Sequence, residues 1–91
     1  MLAKPNEKKF IVSNHSGLGH VIVTGEEVTV SLGKSVTIKK NYVFSIEKTA
    51  TLALNKVEVN LAYYDLFGNK EDSRFIMAEN DFRALKALIG K

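Results

Sequence analysis

Apolar and polar residues alternate through most of positions 8–77, the period-2 signature of half-buried strands. The alternation breaks at turn residues and predicts short strands over 9–13 (KFIVS), 20–24 (HVIVT), 28–32 (VTVSL), 35–40 (SVTIKK), 42–47 (YVFSIE), 51–54, 56–64 (KVEVNLAYY) and 74–77 (RFIM). Val28, Val30 and Leu32 share one face, answered by Val36 and Ile38 across a tight Gly33-Lys34 connection. Tyr42, Phe44 and Ile46 are expected to share a face. Val57, Val59, Leu61 and Tyr63 form the longest apolar row, with Glu58, Asn60, Ala62 and Tyr64 opposite. Leu66-Phe67-Gly68-Asn69 supplies the last strand-to-strand turn.

The period changes in NDFRALKALI, where apolar residues at 82, 85, 88 and 89 fall on one helical face. Asn80 is the expected N-cap, Asp81 suits the first turn, and Gly90 suits the position past the end. The pattern predicts a mainly β domain: a small antiparallel sandwich or barrel of about seven to eight short strands with one C-terminal helix at 80–89. One domain over 9–91, preceded by a flexible arm at 1–8, accounts for the chain.

Composition narrows the chemistry. The 91 residues contain no cysteine, so disulfides, thiolate metal sites and thiol nucleophiles are excluded. No stretch resembles a signal peptide or a membrane-spanning helix, so the expected setting is cytoplasm or virion, with no membrane partner. The net charge of +3 is uneven, with eight lysines against four acids in residues 1–56. Eleven of the thirteen basic residues are lysine, whereas bidentate reading of phosphate and base edges favours arginine. Lysines also protect exposed strand edges, so the basic balance has two readings.

The densest cluster of reactive side chains is NHSGLGH at 14–20. His15 and His20 are five apart, a spacing suited neither to a helix face nor to alternate strand positions, and no nearby acid completes a ligand set. Gly17-Leu18-Gly19 leads into a valine-rich strand rather than a helix N-terminus, unlike a phosphate loop. No group orients a Ser16–His pair for catalysis. The cluster reads as a turn whose functional use is partner contact through Asn14, His15, Ser16 and Leu18. Glu26-Glu27 and Glu71-Asp72 read as solvated turn acids, since acid–base catalysis needs two carboxyls in contrasting environments. Tyr64, with Lys39, Lys40 and Lys48, forms the alternative candidate, a basic and aromatic face on which bases could stack.

Residues 9–39 resemble, in their strand, Asn-centred turn and late GKSVTI, small β-rich proteins of tailed-phage particles, which implies a decoration, joining or tail role. Residues 57–89, with Tyr63-Tyr64, a glycine-containing hairpin, RFIM and DFRALKALI, are similar to positive-cofactor-type single-stranded-DNA-binding coactivators. That resemblance implies a strand-binding sheet and a dimer-forming helix. Taken together, the residues favour a non-enzymatic assembly module without cofactor or metal. Its partners are expected to be proteins, as a homo-oligomer or larger assembly, through Asn14, His15, Ser16 and Leu18 and the helix residues Phe82, Leu85 and Ile89, whose other reading is as caps of the core. Single-stranded nucleic acid is the alternative partner.

Overall fold

The computed structural model describes residues 7–91. Seven strands follow in chain order: β1 (Lys8–Asn14), β2 (Gly17–Val23), β3 (Glu27–Leu32), β4 (Lys34–Lys39), β5 (Val43–Thr51), β6 (Lys56–Tyr64) and β7 (Lys70–Ala78). A single 3-10 turn at Lys40–Tyr42 joins β4 to β5, and helix α1 (Glu79–Ile89) closes the chain. All seven strands lie in one sheet of order β4-β3-β2-β1-β7-β6-β5, with every neighbouring pair antiparallel. The fold is therefore two meanders, β1–β4 and β5–β7, joined where Ser13 pairs with Ile76.

This sheet cannot be flat. Seven strands span roughly 29 Å edge to edge at ~4.8 Å spacing. Yet β4 and β5, at opposite edges, are separated by only Lys40, Asn41 and Tyr42. That link reaches at most about 14 Å between its anchoring residues, so the sheet must curl until its edges meet at this corner. Curling also solves the burial problem. Inward residues from every strand join Phe82, Leu85 and Ile89 of α1 in one buried cluster, which includes Val12, Val21, Val30, Ile38, Ile46, Leu61 and Phe75. The helix is only about 16 Å long, too short to cover an open seven-stranded sheet by itself.

Several local expectations are corrected. The segments predicted as separate strands at 42–47 and 51–54 are one strand through Thr51, then a turn. Its pairing with β6 shifts register between Val43 and Ser45 and again between Lys48 and Ala50. The first shift breaks the expected Tyr42/Phe44/Ile46 face: Val43 and Ile46 are buried, while Phe44 points outward. β7 begins at Lys70, four residues before the apolar signal, because Lys70, Glu71, Asp72 and Ser73 pair with β6 on a largely solvated stretch.

The NHSGLGH cluster is a turn, but a shorter one than predicted, with strands reaching Asn14 and Gly17. Asn14 Oδ1 accepts the Ser16 N–H at 2.8 Å, which shapes the reversal. Gly19 belongs to β2, where a Cβ would collide with the Ser31 carbonyl oxygen of β3. It is a close-approach glycine rather than a turn residue. The helix begins one residue earlier than expected, after Ala78, and Asn80 lies inside its first turn. No side chain caps it; the Glu79 N–H donates instead to the Asn55 carbonyl of the β5–β6 turn at 2.9 Å. Gly90 ends the helix in the left-handed conformation, as its position predicts. Of the expected arm, residues 1–6 lie outside the described residues, and Lys8 is already in β1.

Among the described residues, no helix is long and apolar enough to cross a membrane.

Candidate functional site

Where the sheet edges meet, the β6–β7 hairpin stands across from β4, and a groove of ≈ 410 Å³ lies between them. β4 contributes Val36, Thr37, Ile38 and Lys39 to its walls, and the corner contributes Tyr42. The end of β6 and its turn contribute Tyr63, Tyr64, Asp65, Leu66 and Phe67, with Glu27 of β3 completing the lining. The volume falls in the range of natural small binding sites.

The hairpin is built to hold its shape. Asp65 Oδ1 accepts the N–H groups of Phe67 and Asn69, both at 2.8 Å. The Asp65 N–H donates to the Asn69 carbonyl at 2.9 Å, and the Gly68 N–H donates to the Asp65 carbonyl at 3.1 Å. Gly68 supplies the positive φ of 82° that the turn needs. These amide donors, Asn69 first, hold the Asp65 carboxyl below the ordinary aspartate range. The rigid turn nevertheless displays Leu66 at 85% and Phe67 at 88% exposure, with no apolar surface of the chain covering them. A braced loop holding two large apolar side chains in water is an anchor with little ordering left to lose on contact.

Tyr63 and Tyr64 divide as alternation requires. Tyr63 is buried, and its hydroxyl pKa is raised first by that burial and then by Glu71, Asp72 and Asp65. Tyr64 is half-exposed and meets Phe44 edge-to-face, with ring centroids 6.0 Å apart. The Lys70 ammonium sits 3.9 Å over the Phe44 ring. The Phe44 shift caused by the bulge therefore creates an outer aromatic cluster that simple alternation does not predict.

The remaining candidates scatter. Lys39 joins Tyr64 in the groove, and Lys40 lies in the adjoining corner. Lys48 is on β5, paired with Glu79 of α1 at 3.4 Å, and does not line the groove with them. Asn14 and His15 border a separate recess with Glu58, Arg74, Phe75 and Ile76, between the β1–β2 turn and the β6–β7 strands. Ser16 is exposed in the turn and Leu18 is 81% exposed on β2, so this end of the sheet is free on its surface. Of the two readings for Phe82, Leu85 and Ile89, the structure has the core-capping one: all three are buried against the chain's own strands. His15 and His20 do not meet at a common centre, and no group of three or more His, Asp or Glu gathers among the described residues.

Leu66, Phe67, Tyr42 and, on β4, Val36, Thr37 and Ile38 are the groove residues that sequence reasoning did not select as a site. One signal was present: an apolar Leu-Phe pair inside an Asp-x-x-Gly-Asn turn, where turn chemistry ordinarily puts polar residues. Their meeting with β4 could not be read, because it depends on how far the sheet curls. No family model matches this chain, and no curated protein matches it.

Proposed function

We propose that this protein is a non-enzymatic assembly module that works by protein–protein contact, as a structural component of a particle such as a tailed-phage virion. The observation that carries this reading is the pair Leu66 and Phe67, almost fully exposed on a hydrogen-bonded hairpin beside an apolar-walled groove. Exposed apolar patches with aromatic anchors are the usual mark of a protein interface. A domain this small also gains proportionally much from burying surface against a neighbour.

The alternative, a single-stranded nucleic-acid face, is favoured by one observation, the shared position of Lys39 and Tyr64 in the groove. Two others weigh against it. The groove carries two carboxylates, Glu27 and Asp65, against one lysine, and Tyr64 is already packed on Phe44. A polyanion needs the opposite balance.

Light scattering over a concentration series, with and without an oligothymidine strand at low and moderate salt, tests the proposal. The expected result is a mass that rises with concentration, ignores the strand, and falls back to monomer in the double variant Leu66→Ser, Phe67→Ser. A protein that stays monomeric throughout overturns the reading, as does a strand-dependent mass shift that disappears with added salt.

A further inference from the structure

We propose that the outer face of β5, β6 and β7 holds a binding site for a guanidinium group, presented by an arginine side chain of a partner protein. The site is separate from the groove beside β4 and does not depend on what that groove contacts.

Strand pairing lays the site out. β6 sets Tyr64, Ala62 and Asn60 against Lys70, Asp72 and Arg74 of β7, and on its other side sets Ala62 and Asn60 against Ser45 and Glu47 of β5. Directly opposed residues project from the same face, so Ala62 stands at the centre of this patch. Its single methyl group leaves a depression among longer neighbours, and a recess of ≈ 480 Å³ opens over it. Phe44 and Lys70 bound one end, Glu47 and Asn60 the other, and Glu71 and Asp72 line the β7 side. The register shift between Val43 and Ser45 is what turns Phe44 outward to form its wall.

Three features define the ligand. The first is charge: Glu47, Glu71 and Asp72 outweigh Lys70 around the recess, although the chain as a whole carries +3. Among the described residues both ion pairs converge on Glu79, so none of these carboxylates has a cationic partner. Lys70 instead rests 3.9 Å over the Phe44 ring, and Arg74 lines a different recess with Glu58. The second is an unmade hydrogen bond. Asn60 Oδ1 is buried and meets no donor, the one side-chain atom among the described residues in that condition. A buried acceptor is normally paired, and a ligand bearing N–H groups supplies what this one lacks. The third is dispersion. No three acids converge as metal ligands do among the described residues, so the acceptors call for an extended cation. A guanidinium is flat, weakly hydrated and directs several N–H donors apart, whereas an ammonium gathers its donors at one point. The apolar stem of an arginine also suits a floor made by Ala62 and a wall made by Phe44.

The test titrates blocked arginine (N-acetylargininamide) into the 15N-labelled full chain, beside its uncharged analogue N-acetylcitrullinamide and the corresponding lysine compound. Amide signals of Ser45, Glu47, Ala62 and Asp72 are expected to shift together and saturate with the arginine compound alone. Glu47 and Asp72 are exposed, so Glu47→Gln and Asp72→Asn should fold; each is expected to weaken binding by about threefold, and the double variant to abolish it. Asn60→Leu should lose binding yet melt no lower than the wild type, because an apolar group of similar size replaces an unpaired acceptor. A purely structural asparagine would instead lower the melting temperature. The site is overturned by equal shifts with citrulline or lysine, by shifts as large at Glu26 and Glu27 as at Ala62, or by full affinity in the double variant. Free arginine binding more tightly than the blocked form would assign the site to a small solute and overturn the protein partner. All of these outcomes leave the groove and its contact untouched.

Discussion

β5 and β4 both end the sheet, one nine residues long and the other six. The longer edge carries the greater risk of unwanted pairing, and it is the one obstructed. Two register shifts interrupt its pairing with β6, and α1 reaches over to it. Lys86 Nζ donates to the Ile46 carbonyl at 2.9 Å, and Glu79 takes Lys48 at 3.4 Å while also holding Arg83 at 3.3 Å. Bulges and charged side chains are the usual means by which proteins keep a strand edge from recruiting another chain. β4 has a continuous register and borders the only described turn that displays two large apolar residues side by side. One edge is braced by α1 through Lys86 and Glu79; the other carries Lys34 and Lys39 and lies open beside Leu66 and Phe67. The same physics governs both, and the difference lies in what the neighbouring elements do.

The comparison can be broken from its braced side. Replacing Leu85, which is fully buried on the inner face of α1, by alanine should cost about 2–5 kcal/mol, because the cavity loosens the whole helix. Thermal melting measures the loss, and concentration-dependent aggregation should accompany it as the β5 edge becomes available. Lys86→Met keeps much of the apolar stem but removes the donor to Ile46. Its expected cost is about 1 kcal/mol in a denaturant titration, with faster amide exchange at β5 and none of the change at β4.

The smallest effect concerns Glu79. Its carboxyl is held below the ordinary glutamate range, first by the hydrogen bond and charge of Lys48, then by Arg83. A depressed folded-state pKa contributes stability above the unfolded value and loses it as pH falls through the folded value. Glu79→Gln should therefore melt slightly below wild type at neutral pH. The gap should close as pH drops below the usual glutamate range. Melting curves at several pH values check this, and a gap that is constant with pH would mean the ion pair does not contribute.

Much of this architecture could be read from alternation alone. Val28, Val30, Ile38, Val57, Val59, Leu61 and Phe75 are buried where period 2 puts them. Phe82, Leu85 and Ile89 of the expected helix stripe are buried while Leu88 is exposed, and Gly90 ends the helix where a left-handed residue was due. What escaped was set by pairing partners. Phe44 changed face because a bulge in β5 inserted a residue, and a bulge has no apolar signature. Residues 70–73 paired without an apolar face to announce them. Asn80 looked like a cap, but a carbonyl from Asn55, distant in sequence, served the helix start and made a side-chain cap unnecessary.

Local preference in the amino-acid order was enough to determine most of the strand, turn and helix types, because each depends mainly on residues a few positions apart. It also determined that no thiol chemistry operates here. Which strands became edges, and which edge α1 braced through Lys86 and Glu79, was decided only in the tertiary structure. A three-residue link between distant strands forced the sheet to curl, and curling brought β4 within reach of Phe67. Such contacts are properties of closure, and no window of neighbouring residues contains them.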